Sequence, residues 1–270
     1  MNITPVVKQL LIINVIFFIG SQLIPHEEAY RYLALHYPKS NDFGLWQLIT
    51  HMFMHGNIMH IFFNMFALFS FGSALEHFWG GKKFIFFYIS CGLGAALFQL
   101  GMNYFEIQNA LEVASGLDLS NNTLHQILNV NFSDGVNYRS DLFFNEIKPI
   151  LENAGKADIS NESFKSLFNA AVQNQTSMVG ASGAIYGLLV AFAFMFPNAE
   201  LMMLFIPVPI KAKYFVPGIL AFDLFLGISG KSFLGSGGNI AHFAHIGGAI
   251  FGFLMMWYWK KNQFNNNRWN

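Results

Sequence analysis

Apolar residues in this chain come in long unbroken runs, and polar residues gather between them. The runs cover 6–24, 58–75, 84–102, 182–196, 214–228 and 240–259. A helix needs about 20 apolar residues to cross a hydrocarbon core of about 30 Å. We therefore read six membrane helices. Two longer stretches break the pattern. Residues 26–57 are mixed and aromatic, with Trp46 among them, and form an outer loop too long for a simple turn. Residues 103–177 are rich in Asn and Asp and hold no run long enough to cross a membrane. Fragments such as 124–128 and 147–151 have the spacing of short amphipathic helices. This stretch reads as a soluble helical insert between the third and fourth membrane helices. Residues 201–209 are apolar but short and end in Pro207-Val208-Pro209, so an interfacial loop is expected there.

The pattern sets the expected domains. Residues 1–102 carry helices one to three and the outer loop, and 103–177 the extracytoplasmic insert. Residues 178–260 carry helices four to six, and 261–270 a cytoplasmic tail. Composition agrees with a membrane protein: 54% of residues are apolar, 11% are charged, and 32 are Phe. Zero net charge points to no nucleic-acid partner. The single cysteine, Cys91, lies in an apolar run and reads as a packing residue. The first run has one early cation and no small-residue cleavage site, so it reads as a retained helix, not a signal peptide.

Charge orients the helices. With the N-terminus inside, inner segments hold Lys8, Lys82, Lys83, Lys211, Lys213, Lys260, Lys261 and Arg268. Short outer loops hold Arg31, Lys39 and Lys231. That bias fits the positive-inside rule, from which a long insert is exempt. Both termini are then cytoplasmic, in a multi-pass protein expected in a bacterial inner membrane. The insert and the Ser182 end of helix four face outside. The insert has nine acids against four bases, a net charge of −5. It is either a small helical cap over the outer mouth or a tolerated surface insertion, since long loops cost little.

Candidate chemistry sits in helix four. Ser182 stands between glycines in Gly180-Ala181-Ser182-Gly183, at the start of an apolar helix. A helix start offers unpaired N–H groups and a positive dipole end, which suits a nucleophile with an oxyanion. Gly183 and Gly187 alone also fit simple helix packing. Helix six carries His245, with Ala244, Gly248 and Gly252 at four-residue intervals. Those small residues form a stripe that can dock on Gly183 and Gly187. Residues 182–196 span about 22 Å as a helix. Ser182 therefore lies below the outer surface, at the depth expected for His245. Tyr186, four residues on, can stack on the imidazole. In helix two, His60 and Asn64 share a face and can donate to an oxyanion. His51, His55 and His60, with His242 and His245, form a less favoured metal set. Glu76 and Asp223 sit near helix ends and read as capping or interhelical groups. His36, His77 and His125 are expected to face solvent.

Together these residues resemble the rhomboid family of intramembrane serine proteases. The matching pieces are Gly180 to Gly183, Tyr186, His245 with Ala244, Gly248 and Gly252, and His60 with Asn64. The stretch from Trp46 through His51 and His55 also resembles the family. The resemblance covers roughly 1–102 and 178–260. It implies a six-helix rhomboid-like bundle and a Ser182–His245 dyad without an acid partner. It implies oxyanion binding by His60, Asn64 and backbone near Ser182, such as Gly180. It implies substrates that are transmembrane proteins, in a lipid bilayer, with no metal or cofactor. One departure is Gln47, where the family often has Arg after Trp; the long insert is another. An alternative is a non-proteolytic rhomboid-like binder or chaperone of membrane helices. A channel or transporter is disfavoured by the lack of repeated spans.

Overall fold

The computed structural model describes residues 2–135, 137–203, 206–229 and 242–263. Helices dominate. The chain opens with α1 (Pro5–Gln22), α2 (His26–Leu33) and the short α3 (Gln47–Thr50). Next, α4 (Ile58–Ala67) passes through a π turn (Leu68–Gly72) into α5 (Ser73–Trp79). The long α6 (Gly81–Val113) follows, then α7 (Asn121–Leu128), α8 (Ser140–Asn153) and α9 (Asn161–Gln175). The chain continues with α10 (Ser182–Met195), strands β1 (Glu200–Met203) and β2 (Ile206–Lys211), α11 (Ala212–Ser229) and α12 (His242–Gln263).

Local chemistry explains several boundaries. Pro5 opens α1, where its missing N–H costs nothing. The Asn57 side chain caps α4 by accepting from the His60 N–H at 2.8 Å. Gly80 ends α5 with a φ of +76°. Ser120 and Ser160 cap α7 and α9 in the same way as Asn57.

Residue contacts divide the chain into two units. One comprises 1–24, 48–99 and 179–270, and the other 25–47 and 100–178. The first unit holds most of the apolar helices. Its core packs Leu68, Phe84, Phe87, Tyr88 and Cys91 against Ala181, Ala184, Leu188 and Trp259. Glu76 is buried and caps α1, accepting from the Val6 and Val7 N–H groups, each at 2.9 Å. Large apolar side chains such as Ile16, Phe86, Phe225 and Tyr258 point outward from this unit. A lipid-facing surface requires that arrangement.

The second unit has its own aromatic core. The rings of Phe132, Phe143 and Phe168 meet one another edge-on or tilted, and Phe164 lies tilted against Phe143, with Ile127, Ile147 and Leu167 buried beside them. The insert is therefore helical and packed. Residues 25–47 cluster with it. Gln47 is buried there, and its amide donates to the Arg31 and Asp42 carbonyls at 3.0 and 2.7 Å. Its Oε1 accepts from the His36 N–H at 3.2 Å.

The structure differs from the sequence reading in several places. Strands Glu200–Met203 and Ile206–Lys211 pair antiparallel, Glu200 opposite Lys211 and Leu201 opposite Ile210, where the sequence reading had an interfacial loop. His36 is buried and bonds the Tyr30 carbonyl at 3.2 Å, whereas His77 and His125 are exposed. Burial holds the His36 pKa below the usual imidazole value. By length and composition, four described helices suffice to cross a membrane: Pro5–Gln22, Ile58–Trp79, Gly81–Val113 and Ala212–Ser229. The apolar α10, at 14 residues, is shorter. The 22-residue α12 carries two histidines and two lysines, which lower its mean hydropathy. Ile240 and Ala241 of the last apolar run, Lys231, and residues 264–270 of the tail lie outside the described residues.

Candidate active site

Ser182 is the first residue of α10. The turn before it is set by Gly180, whose φ of +124° suits glycine almost alone. Space makes the same demand. A Cβ on Gly180 would sit 2.8 Å from His60 Nε2. The Gly180 N–H donates to the His51 carbonyl at 2.8 Å, so here it is not free for an oxyanion. The N–H groups of the first turn of α10 have no partner four residues back within the helix.

His245, on α12, reaches the same point. Its Nε2 lies 2.8 Å from Ser182 Oγ. Tyr186 stacks flat on the imidazole, with centroids 4.2 Å apart and planes within 10°. The closeness rests on missing side chains. A Cβ on Gly248 would overlap the Gly183 carbonyl, and one on Gly252 would come within 2.7 Å of Gly187 Cα. So α10 and α12 touch backbone to backbone, beside Ser182 and His245. A Cβ on Gly183 would instead meet Ala95 of α6, 2.4 Å from its Cβ.

His60 and Asn64 lie on α4. His60 sits beside the Gly180 turn and edge-on to His55 at 5.0 Å. Asn64 is buried, and its amide donates to the His60 carbonyl at 2.9 Å, within its own helix.

The sequence reading gave Asp223 a capping or interhelical role and no part in the site. Asp223, on α11, is buried among apolar neighbours. Its Oδ2 lies 2.6 Å from His245 Nδ1, and its Oδ1 bonds His242 Nδ1. Its position within the run 214–228 was the available signal, since an acid inside a membrane run is a functional candidate. Among the described residues, the three that bring potential ligand atoms within 4.8 Å of one another are Asp223, His242 and His245. His51, His55 and His60 are not in that set.

A family model described as the Rhomboid domain matches residues 42–110 and 159–262. Residues 111–158, within the insert, fall between the two matched stretches. The chain is similar to a mitochondrial rhomboid protein of Schizosaccharomyces pombe, itself uncharacterized. The two are 28% identical over 226 residues, 80% of this chain and 52% of that protein. It is also similar to the Rhomboid protease AarA of Providencia stuartii, 40% identical over 65 residues. That match covers 24% of this chain and 23% of the protease. The chain thus spans about half the length of the first relative and less of the second. With the family model covering well over half of its length, this chain belongs to the rhomboid family.

Proposed function

We propose that this protein is an intramembrane serine endopeptidase that cleaves transmembrane segments of membrane-protein substrates. The observation that carries the reading is the 2.8 Å hydrogen bond between Ser182 Oγ and His245 Nε2 inside an apolar helix bundle. His245 takes the Ser182 proton as Oγ attacks a peptide carbonyl. His60 Nε2, the Asn64 amide and the first-turn N–H groups of α10 then hold the oxyanion. Gly180 shapes that turn; its N–H would join them only by leaving the His51 carbonyl. His245 next protonates the leaving amine, and water hydrolyses the acyl-enzyme. Tyr186 keeps the imidazole in plane. Gly183, Gly187, Ala244, Gly248 and Gly252 keep the two helices in contact.

The same reading assigns the rest of the chain. Residues 1–102 and 178–260 form the protease body, 103–177 an extracytoplasmic domain, and 261–270 a cytoplasmic tail. Both termini lie in the cytoplasm, and a bacterial inner membrane is the proposed setting. The name of the yeast relative keeps a mitochondrial membrane as the rival location.

The test is cleavage of a model transmembrane substrate in lipid vesicles by wild type, Ser182→Ala, His245→Ala and the double variant. Each single variant is expected to abolish cleavage while remaining folded, and the double to be no worse, because the two act as a unit. Cleavage by purified Ser182→Ala at the wild-type rate would refute the reading. Stable capture of helices without cleavage by the wild type would favour the non-proteolytic binder.

A further inference from the structure

We propose that Asp223 is a positioning residue for His245, so that this chain works as a Ser–His–Asp relay instead of an acid-free dyad. The inference rests on the Ser182–His245 reading above. Its basis is a continuous line of polar atoms across three helices. Ser182 Oγ on α10 meets His245 Nε2 at 2.8 Å, and His245 Nδ1 meets Asp223 Oδ2 on α11 at 2.6 Å. Asp223 Oδ1 is bonded in turn to His242 Nδ1. Side chains of Asp223 and His242 are each about one-tenth exposed or less, at 8% and 10%.

The proton positions follow from what each group can do. An ionised carboxylate only accepts. Facing two imidazole Nδ1 atoms and the Tyr186 hydroxyl, it is satisfied when all three donate to it. His245 Nδ1–H then donates to Oδ2, which leaves Nε2 bare. A bare Nε2 is the one atom able to accept the Ser182 proton. In the attack step the Ser182 Oγ–H bond breaks and the His245 Nε2–H bond forms. The imidazolium keeps its Nδ1–H on Asp223, which stays ionised. His242 holds the second carboxylate oxygen and so fixes how Asp223 presents the first. The other groups around the imidazole are Tyr186, stacked on its face, and His60 near the Ser182 turn.

A metal is the rival explanation for an acid and two histidines. Zinc ligands sit about 2.0–2.2 Å from the ion, so tetrahedral neighbours stand roughly 3.3 Å apart. The Asp223–His245 contact, at 2.6 Å, is a hydrogen-bond distance instead.

Three measurements test the proposal. First, Asp223→Ala is compared with wild type in cleavage of the model substrate. Removing the acid from a soluble triad lowers kcat by about 10⁴-fold. Tyr186 still holds the ring here, so a fall of about tenfold or more is expected, with KM within about twofold. Second, ¹⁵N spectra of histidine-labelled protein read the His245 tautomer, with His245→Ala used to assign the signal. Wild type should show Nδ1 protonated and Nε2 bare, and Asp223→Ala should lose that preference. Where the Ala variant fails to fold, Asp223→Asn, of equal size, carries the same readings. A smaller fall in kcat, a change confined to KM, or an unchanged tautomer would overturn the proposal. Third, zinc is titrated into wild type and variant. Tight binding lost in Asp223→Ala, with the tautomer unchanged, would replace the relay by a metal centre. The spectra need no proteolysis, so an inactive wild type sinks the protease reading without deciding this one.

Discussion

Replacing Gly248 by Ala adds one methyl group at the tightest point between α10 and α12. The added Cβ would overlap the Gly183 carbonyl oxygen, a backbone atom that no rotamer change can move away. Non-bonded heavy atoms sit comfortably at about 3.5–4.0 Å, so the helices must part by roughly 1 Å or more. Ser182 precedes Gly183, and His245 lies three residues before Gly248, so the strain acts beside the dyad. A separation of 2.8 Å between Oγ and Nε2 would open toward about 3.8 Å, beyond hydrogen-bond range. Misplacement of that size is worth about 10²-fold in rate. Overpacking costs about 1–3 kcal/mol, offset by up to about 1 kcal/mol because Ala is the better helix former. With the full offset the net loss is up to about 2 kcal/mol, which lowers Tm by up to about 8 °C for a protein this size. The control is Gly218→Ala in α11, where a Cβ meets nothing within 4 Å. There the propensity gain stands alone, and activity and Tm should hold or rise. The assay is substrate cleavage in vesicles beside thermal unfolding in detergent. Wild-type rate and Tm in Gly248→Ala would refute the argument that backbone contact sets the Ser182–His245 distance.

Two further outcomes are expected. His60→Ala and Asn64→Ala should each lower kcat more than they raise KM, by up to about 10²–10³-fold, as an oxyanion donor acts in the transition state; a fall in Tm alone would assign them to packing. Glu76→Ala strips the cap from α1, leaving the Val6 and Val7 N–H groups without their carboxylate; unfolding in detergent should show a loss of about 0.5–2 kcal/mol with the rate constant of folded protein unchanged, and an unaltered Tm would remove Glu76 from that role.

Periodicity and depth make much of the site legible in the sequence. The small residues of 180–187 and 244–252 mark the two helices that meet, and arithmetic on 182–196 matches the depths of Ser182 and His245. Tyr186 follows from its four-residue spacing. Asp223 is not legible in the same way, because its partners lie 19 and 22 residues away on another helix. No local spacing links them; only an acid within an apolar run marks the place, and capping explains such an acid more cheaply. Capping is what Glu76 does, which shows why the two acids look alike. The Gly180 N–H is equally hidden, since its partner His51 lies in a short 3₁₀ turn, His51–Phe53, that no periodicity marks. Residues 25–47 read as part of the membrane half because they adjoin it in sequence. Their cohesion with 100–178 depends on contacts such as the Asn129 amide on the Lys39 carbonyl, 3.1 Å across 90 residues.

A charged carboxylate within a membrane helix is expensive, roughly 2.5–3.5 kcal/mol even on the mildest scales. Asp223 meets that demand with two imidazoles, and the pairing ties α11 to α12 at the level of His245. The glycine contacts tie α10 to α12 at the same level. His245 is therefore fixed by three neighbours of different kinds: Asp223 at Nδ1, Ser182 at Nε2 and the Tyr186 ring on its face. The first sets the tautomer, the second the distance and the third the plane. Losing Asp223 leaves the Ser182 contact and the stacked Tyr186 ring but takes away that tyrosine's hydroxyl partner, so only part of the molecules still present a bare Nε2. Losing Ser182 removes the proposed nucleophile itself. That difference is why Asp223→Ala is expected to slow the reaction and Ser182→Ala to end it.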